Sequence, residues 1–214
     1  MKITILFDNT PPKNEGLQAD WGFATLVEAS PDHRILFDTG CDGDILLHNM
    51  RQLGIDPKSI KDVFISHMHS DHTGGLDAFL QQNPKVRLWL PSNPLQEIPF
   101  DETIVLTKPT QLYKGIYSTG VLENIEQSLA VETSHGLVLI VGCSHPKMET
   151  IFNTAAQFGD VFGIIGGLHG TQPKSLNGLS LICATHCTQS KSEIKRLYPE
   201  ATIEGGAGGV IEIS

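Results

Sequence analysis

Four short apolar runs in this chain each end in small residues and then a histidine, which points to a fold that gathers strand ends around one site. Residues 63–65 lead through Ser66 to His67, Met68, His69, Ser70, Asp71 and His72. Residues 137–141 lead through Gly142, Cys143 and Ser144 to His145. Residues 161–165 lead through Gly166, Gly167 and Leu168 to His169, and residues 181–183 through Ala184 and Thr185 to His186. A single histidine after a strand is more often a hydrogen-bonded surface or core residue. Three of them beside the 67–72 cluster favour a shared site. His33, His48 and His135 lack this context and read as structural or surface residues.

The spacing within the cluster carries the chemistry. His67 and His69 straddle one residue, so on an extended segment both leave the same face and can chelate one cation. Asp71 and His72 face elsewhere, which suggests two metal positions, since a compact catalytic site needs three protein ligands and an open place. Imidazole and carboxylate without thiolate favour zinc, with iron or manganese also compatible. Lone loop histidines are usually just solvated; four ligand-type residues in six, followed by Thr73, Gly74 and Gly75, weigh against that. Cys41, Cys143, Cys183 and Cys187 do not resemble a disulfide framework. Cys183 and Cys187 flank His186 and read as reduced thiols packed beside a loop.

With 40% hydrophobic and 18% charged residues, residues 1–214 support one substantial core and are expected to form a single domain. The net charge of −9 disfavours a polyanion-binding surface, so nucleic acid is not the expected partner and a small-molecule substrate is. No apolar span of roughly 20 residues is present to cross a membrane. The run at residues 3–7 is too short for a signal-peptide core, so a cytoplasmic location is the default.

Further apolar runs at residues 3–7, 23–27, 35–37, 86–90 and 210–213 read as strands. Helical stripes appear at Ile45, Leu46, Asn49, Met50 and Leu53, with Asp44 placed to cap the start and Gly54 to stop it. A short stripe follows at Leu76, Phe79 and Leu80, and another at Met148, Ile151, Phe152, Ala155 and Ala156. Ser190 and Glu193 have capping-box spacing before Ile194 and Leu197. Strands outnumber helices, and the helices are interspersed, which predicts a sheet-on-sheet core covered by helices. Residues 91–109 read as a long loop or lid.

On these motifs the chain resembles the metallo-β-lactamase superfamily over nearly its whole length. Asp38 in LFDTG is similar to the first motif, HMHSDHTGG to the second, His145 in VGCSH to the third, and His186 in THCTQ to the last. The resemblance implies an α/β (α+β) fold, a four-layer αββα sandwich with the site at one edge of the two sheets. It implies that His67, His69 and His145 hold one metal and that Asp71, His72 and His186 hold a second. Asp38 would support the metal loop. The expected cofactor is Zn2+, two ions for choice and one also compatible. Where the superfamily usually supplies a carboxylate bridging both metals, this chain reads GGLHG and offers His169, either as a further ligand or as a catalytic group.

LFDTG, GCSH, GGLHG and HCTQ together are similar to a narrower subgroup, related to the synthase that makes a dihydropterin-methyl ribofuranosylaminobenzene phosphate. Members of that subgroup commonly carry HCTG, from which Gln189 departs. The activity implied by the superfamily is hydrolysis of a small ester or phosphoester by a metal-bound hydroxide. Asp71 would ligate or orient, and His169 would donate to the oxyanion or the leaving group. The alternatives are a synthase-like transfer with a diphosphate leaving group and a metal-binding sensor without turnover. Asp8, Asn9, Asp20 and Trp21 border the site in the N-terminal loops but are not assigned to specificity.

Overall fold

The computed structural model describes residues 1–10, 12–91 and 102–214. The first half of the chain gives strands β1 (Lys2–Asp8), β2 (Phe23–Ser30), β3 (His33–Phe37), β4 (Asp62–Phe64), β5 (Arg87–Leu90) and β6 (Thr103–Val105), with helices α1 (Gly43–Gln52), α2 (Ser70–Thr73) and α3 (Leu76–Gln82). The second half gives β7 (Thr110–Tyr113), β8 (Ile116–Ser118), β9 (Leu129–Thr133), β10 (Gly136–Val141), β11 (Val161–Gly167), β12 (Leu181–Thr185) and β13 (Val210–Glu212), with α4 (Met148–Ala155) and α5 (Lys191–Leu197). Among the described residues these strands form two sheets, one ordered β13-β1-β2-β3-β4-β5-β6 and the other β12-β11-β10-β9-β8-β7.

Strand alternation builds the layers. In β10, Val138 and Ile140 point between the sheets while Leu139 and Val141 point outward; in β12, Leu181 and Cys183 face in and Ile182 out. The central layer joins Ile3, Ile5, Phe23, Phe37 and Phe64 of the first sheet to Val131, Val138, Ile140 and Ile165 of the second. A register shift between Ile5 and Phe7 lets both Leu6 and Phe7 join the outer face of the first sheet. There they pack with Leu46 and Met50 of α1 and Phe79 and Leu80 of α3. Met148 and Ile151 of α4 and Ile194 of α5 cover the outer face of the second sheet. The result is the expected αββα sandwich.

Strands β3 to β6 run parallel, as do β10 to β12. Every histidine loop singled out in the sequence therefore follows the carboxyl end of a parallel strand, the end at which such sheets place ligands.

Several local expectations change. Asp42, not Asp44, caps α1: its Oδ1 accepts from the N–H groups of Asp44 and Ile45. Ser190 precedes α5 but makes no capping hydrogen bond, because its φ of −105° and ψ of 29° do not turn the hydroxyl onto the helix; its Oγ donates to the Thr171 carbonyl instead. Of the segment 91–109 read as one loop or lid, Thr103–Val105 is an edge strand paired with β5, and residues 92–101 lie outside the described residues. Among the described residues, no helix is long and apolar enough to cross a membrane.

Candidate metal centre

The loops after β4, β10 and β12 bring six of the singled-out side chains together as two triplets. Donor atoms of His67, His69 and His145 lie within 4.8 Å of one another, as do those of Asp71, His72 and His186. The His67 and His69 rings stand 4.8 and 4.9 Å from the His145 ring. In the other triplet, Asp71 Oδ2 lies 3.8 Å from His72 Nε2 and 3.4 Å from His186 Nε2.

Hydrogen bonds on the far side of the rings orient them. The buried Asp38 carboxylate accepts from the Ser66 N–H at 2.7 Å, the Ser66 hydroxyl at 2.6 Å and His72 Nδ1 at 2.7 Å. With His72 Nδ1 carrying its proton toward Asp38, the Nε2 lone pair faces the site. Ser66 Oγ, having given its proton to Asp38, accepts from His67 Nδ1 at 2.9 Å and turns His67 Nε2 toward His69 Nδ1, 3.1 Å away. Asn9 Oδ1 accepts from His186 Nδ1 at 3.1 Å.

The backbone at these loops is forced. Of the non-glycine residues with positive φ among the described residues, Asp38 (55°), Ser144 (57°), His169 (40°) and His186 (48°) all belong to the site loops. Strain of this kind persists where surrounding contacts over-determine it. Gly142 is required by close approach, since a Cβ there would collide with the Ser66 hydroxyl.

Two buried carboxylates that the sequence analysis did not assign hold the loops in place. Glu126 Oε1 accepts from the N–H groups of Gly142, Cys143 and Ser144 at 3.0 to 3.1 Å, and its Oε2 accepts from His145 N–H at 2.9 Å. Burial pushes the Glu126 carboxyl up from its ordinary pKa, against those four bonds. Asp8 at the end of β1 accepts from the His186 and Gly206 N–H groups and from the Thr185 hydroxyl, so the first strand orders the last histidine loop. Its carboxyl is also raised, again chiefly by burial.

Burial and neighbouring imidazoles disfavour the charged forms of His67, His145 and His186. His67 is held far below the ordinary histidine range by burial and then by His72, His145 and His69. Burial, with His69 and His169 beside it, lowers His145 to about 4. Burial and His72 lower His186 to about 3. His72 is the exception: burial, the largest single influence, opposes its charge, but Asp38, joined by Asp71 and Glu126, raises the pKa on balance.

The residues present fit a divalent cation. His145 Nε2 and His186 Nε2 are buried without a hydrogen-bond partner, an arrangement that is costly unless something else takes the lone pairs. The donor set also departs from the one read in the sequence, because it includes thiols. Cys143 Sγ lies 3.2 Å from His72 Nε2, and Cys187 comes close to both Cys143 and His186. A loop approach across many residues put them there, and no sequence spacing announced it.

His169 does not enter either triplet. It is exposed at the rim, its ring 5.3 Å from that of His145, and with Ser144, Lys147, Thr171 and Gln172 it lines an open cleft of about 490 Å³. Trp21, 53% exposed, donates its indole N–H to Asp71 Oδ2 at 3.0 Å and rests its ring 5.0 Å from His186. His33, His48 and His135 lie elsewhere: His33 packs on Tyr113, His48 bonds the Gly16 carbonyl, and His135 stacks on Phe162. A larger cavity of about 690 Å³, lined by Lys58, Lys61, Lys85 and Arg87, opens at the other end of β4 and β5 and holds none of these donor atoms.

Residues 21–148 match the family model of the metallo-β-lactamase superfamily, which covers more than half of the chain. The chain belongs to this superfamily. It is 27% identical to the 7,8-dihydropterin-6-methyl-4-(β-D-ribofuranosyl)-aminobenzene-5′-phosphate synthase of Methanocaldococcus jannaschii, with 90% of this chain and 89% of that protein aligned. Among solved structures it is similar to Tm1679, a metal-dependent hydrolase of the β-lactamase superfamily, at a TM-score of 0.81 and 27% identity, covering 100% of this chain and 99% of that one. Zn2+-bound PqqB from Methylobacterium extorquens shares the fold at a TM-score of 0.65 and 12% identity, with both chains fully covered.

Proposed function

We propose that this protein is a metal-dependent hydrolase of small ester or phosphoester substrates, with His67, His69 and His145 holding one zinc ion and Asp71, His72 and His186 a second. The observation that carries this reading is the pair of buried, unpartnered nitrogens, His145 Nε2 and His186 Nε2, each in one of the two triplets. A divalent cation held there supplies Lewis acidity and a source of nucleophile near neutral pH.

The chain's own residues do the rest. Asp38 and Glu126 fix the ligand loops so that little reorganisation accompanies reaction. His169 stands at the cleft with an exposed ring, placed to hold a proton for a departing oxygen. Lys147, Thr171 and Gln172 offer the cleft polar partners for an anionic or oxygen-rich substrate of small-molecule size. The acidic chain charge favours a small molecule over nucleic acid, and the reading takes the protein to act in the cytoplasm.

The test is turnover of bis(p-nitrophenyl) phosphate and p-nitrophenyl esters by protein loaded in turn with zinc, manganese or iron. Metal-dependent release, abolished by chelator and by His67→Ala, is expected. If His67→Ala kept both its metal and its turnover, the assignment would be wrong.

A second reading, transfer with a diphosphate leaving group, is favoured by the similarity to the M. jannaschii synthase over most of both chains. Metal-loaded protein given a pterin diphosphate and an aminobenzoate ribosyl phosphate distinguishes the two, since only the transfer reading yields a joined product.

A further inference from the structure

Two thiols, the buried Cys143 and the half-buried Cys187, stand beside the histidine triplets with no part in the proposed hydrolysis. The Cys143 sulfur lies within 4.8 Å of donor atoms of His67 and His72 in one grouping, and of His186 and Cys187 in another. His67 belongs to one triplet and His72 and His186 to the other, so this sulfur sits between the two metal positions. Its backbone is pinned there by Glu126 Oε1, 3.0 Å from the Cys143 N–H.

A Cβ at Gly167, the end of β11, would lie 2.4 Å from the Gly142 carbonyl oxygen and 2.7 Å from Cys187 Sγ, so no side chain enters the centre from that position and the Cys187 thiol occupies the space in front of it. His186 Nε2, grouped with the Cys143 sulfur, is fully buried and has no hydrogen-bond partner, with Asp71 Oδ2 3.4 Å away.

We propose that the centre is a mixed sulfur site in which Cys143 would supply a thiolate ligand to a cation held there, with Cys187 filling the space in front of Gly167. Thiolate is a strong ligand for zinc, and on binding the Cys143 S–H proton is released to solvent as the sulfur–metal bond forms. The inference rests on the metal-binding reading of the previous section.

X-ray absorption at the zinc edge of the zinc-loaded protein tests it without any activity assay. A sulfur shell at about 2.3 Å is expected beside nitrogen and oxygen at about 2.0–2.1 Å. The sulfur shell should vanish in Cys143→Ser and persist in Cys187→Ser. A zinc-loaded wild type with only nitrogen and oxygen neighbours overturns the proposal and leaves the metal-binding reading standing. A sulfur shell that survives Cys143→Ser, or one that is lost in Cys187→Ser, also overturns it, and the latter spectrum decides if Cys143→Ser does not fold. Protein that takes up no zinc overturns both readings together.

Discussion

Replacing Glu126 by Gln alters one buried group and should loosen the whole loop from Gly142 to His145. The carboxylate accepts four backbone N–H groups, three on Oε1 and one on Oε2. The amide retains most bonds if its oxygen takes the Oε1 side, which turns its NH₂ against the His145 N–H. One charge-assisted bond, worth about 1.5–3 kcal/mol, is then lost, and the remaining three weaken toward the neutral value of about 1 kcal/mol. Relief of the buried charge offsets part of this, leaving a net loss of about 2–4 kcal/mol. With a urea m-value of about 2 kcal/mol/M, the unfolding midpoint of the metal-free protein falls by about 1–2 M. Because the same loop carries His145, zinc affinity measured by chelator competition should fall by about 10- to 100-fold. A midpoint within about 0.3 M of wild type, together with zinc affinity within about twofold, would show that the four bonds do not hold the loop as argued.

Asp38→Asn removes an acceptor that fixes the His72 tautomer and should weaken zinc binding by about 10- to 100-fold in the same competition assay. His169→Ala should retain its metal, measured by plasma mass spectrometry, while turnover falls by about 10²–10⁴-fold as expected for loss of a proton donor; loss of a metal would instead make His169 a ligand. Gly167→Ala should cost about 1–3 kcal/mol in chemical denaturation, since the new methyl meets the Gly142 carbonyl oxygen first and the Cys187 sulfur next. The pH dependence follows from the lowered histidines. His145 at about 4 and His186 at about 3 bind protons more weakly folded than unfolded, so their neutral forms favour the native state above about 6.5. That contribution is lost as pH falls from about 6.5 toward 4 for His145 and toward 3 for His186, and metal-free denaturation midpoints should decline across this range. Midpoints flat from about 6.5 to 4 would refute the assignment of neutral, buried rings.

The parts of the fold legible in the sequence are those where burial on both faces produces unbroken apolar runs, as at residues 63–65 and 137–141. The strands β6 to β8 were not legible, because they lie toward the sheet edges and mix polar with partly exposed residues. The 67–72 cluster announces itself because its donors are contiguous. Glu126 and Asp8 do not: a loop or strand-end carboxylate is ordinarily solvated, and their bonds reach 16 to 19 and 177 to 198 residues away. Cys143 received no role for the same reason, its neighbour His72 being 71 residues distant.

The two donor triplets draw on both sheets: His67, His69, Asp71 and His72 follow β4, whereas His145 and His186 follow β10 and β12. A cation held in either triplet would therefore act as a rivet through one rim of the sandwich, tying together layers whose shared interior is built largely of apolar side chains. Binding energy spent there becomes resistance to the sheets parting at that edge. Removing the metal should let the rim breathe while the interior stays closed, and amide exchange should rise first in the loops after β4, β10 and β12, well before the central strands respond.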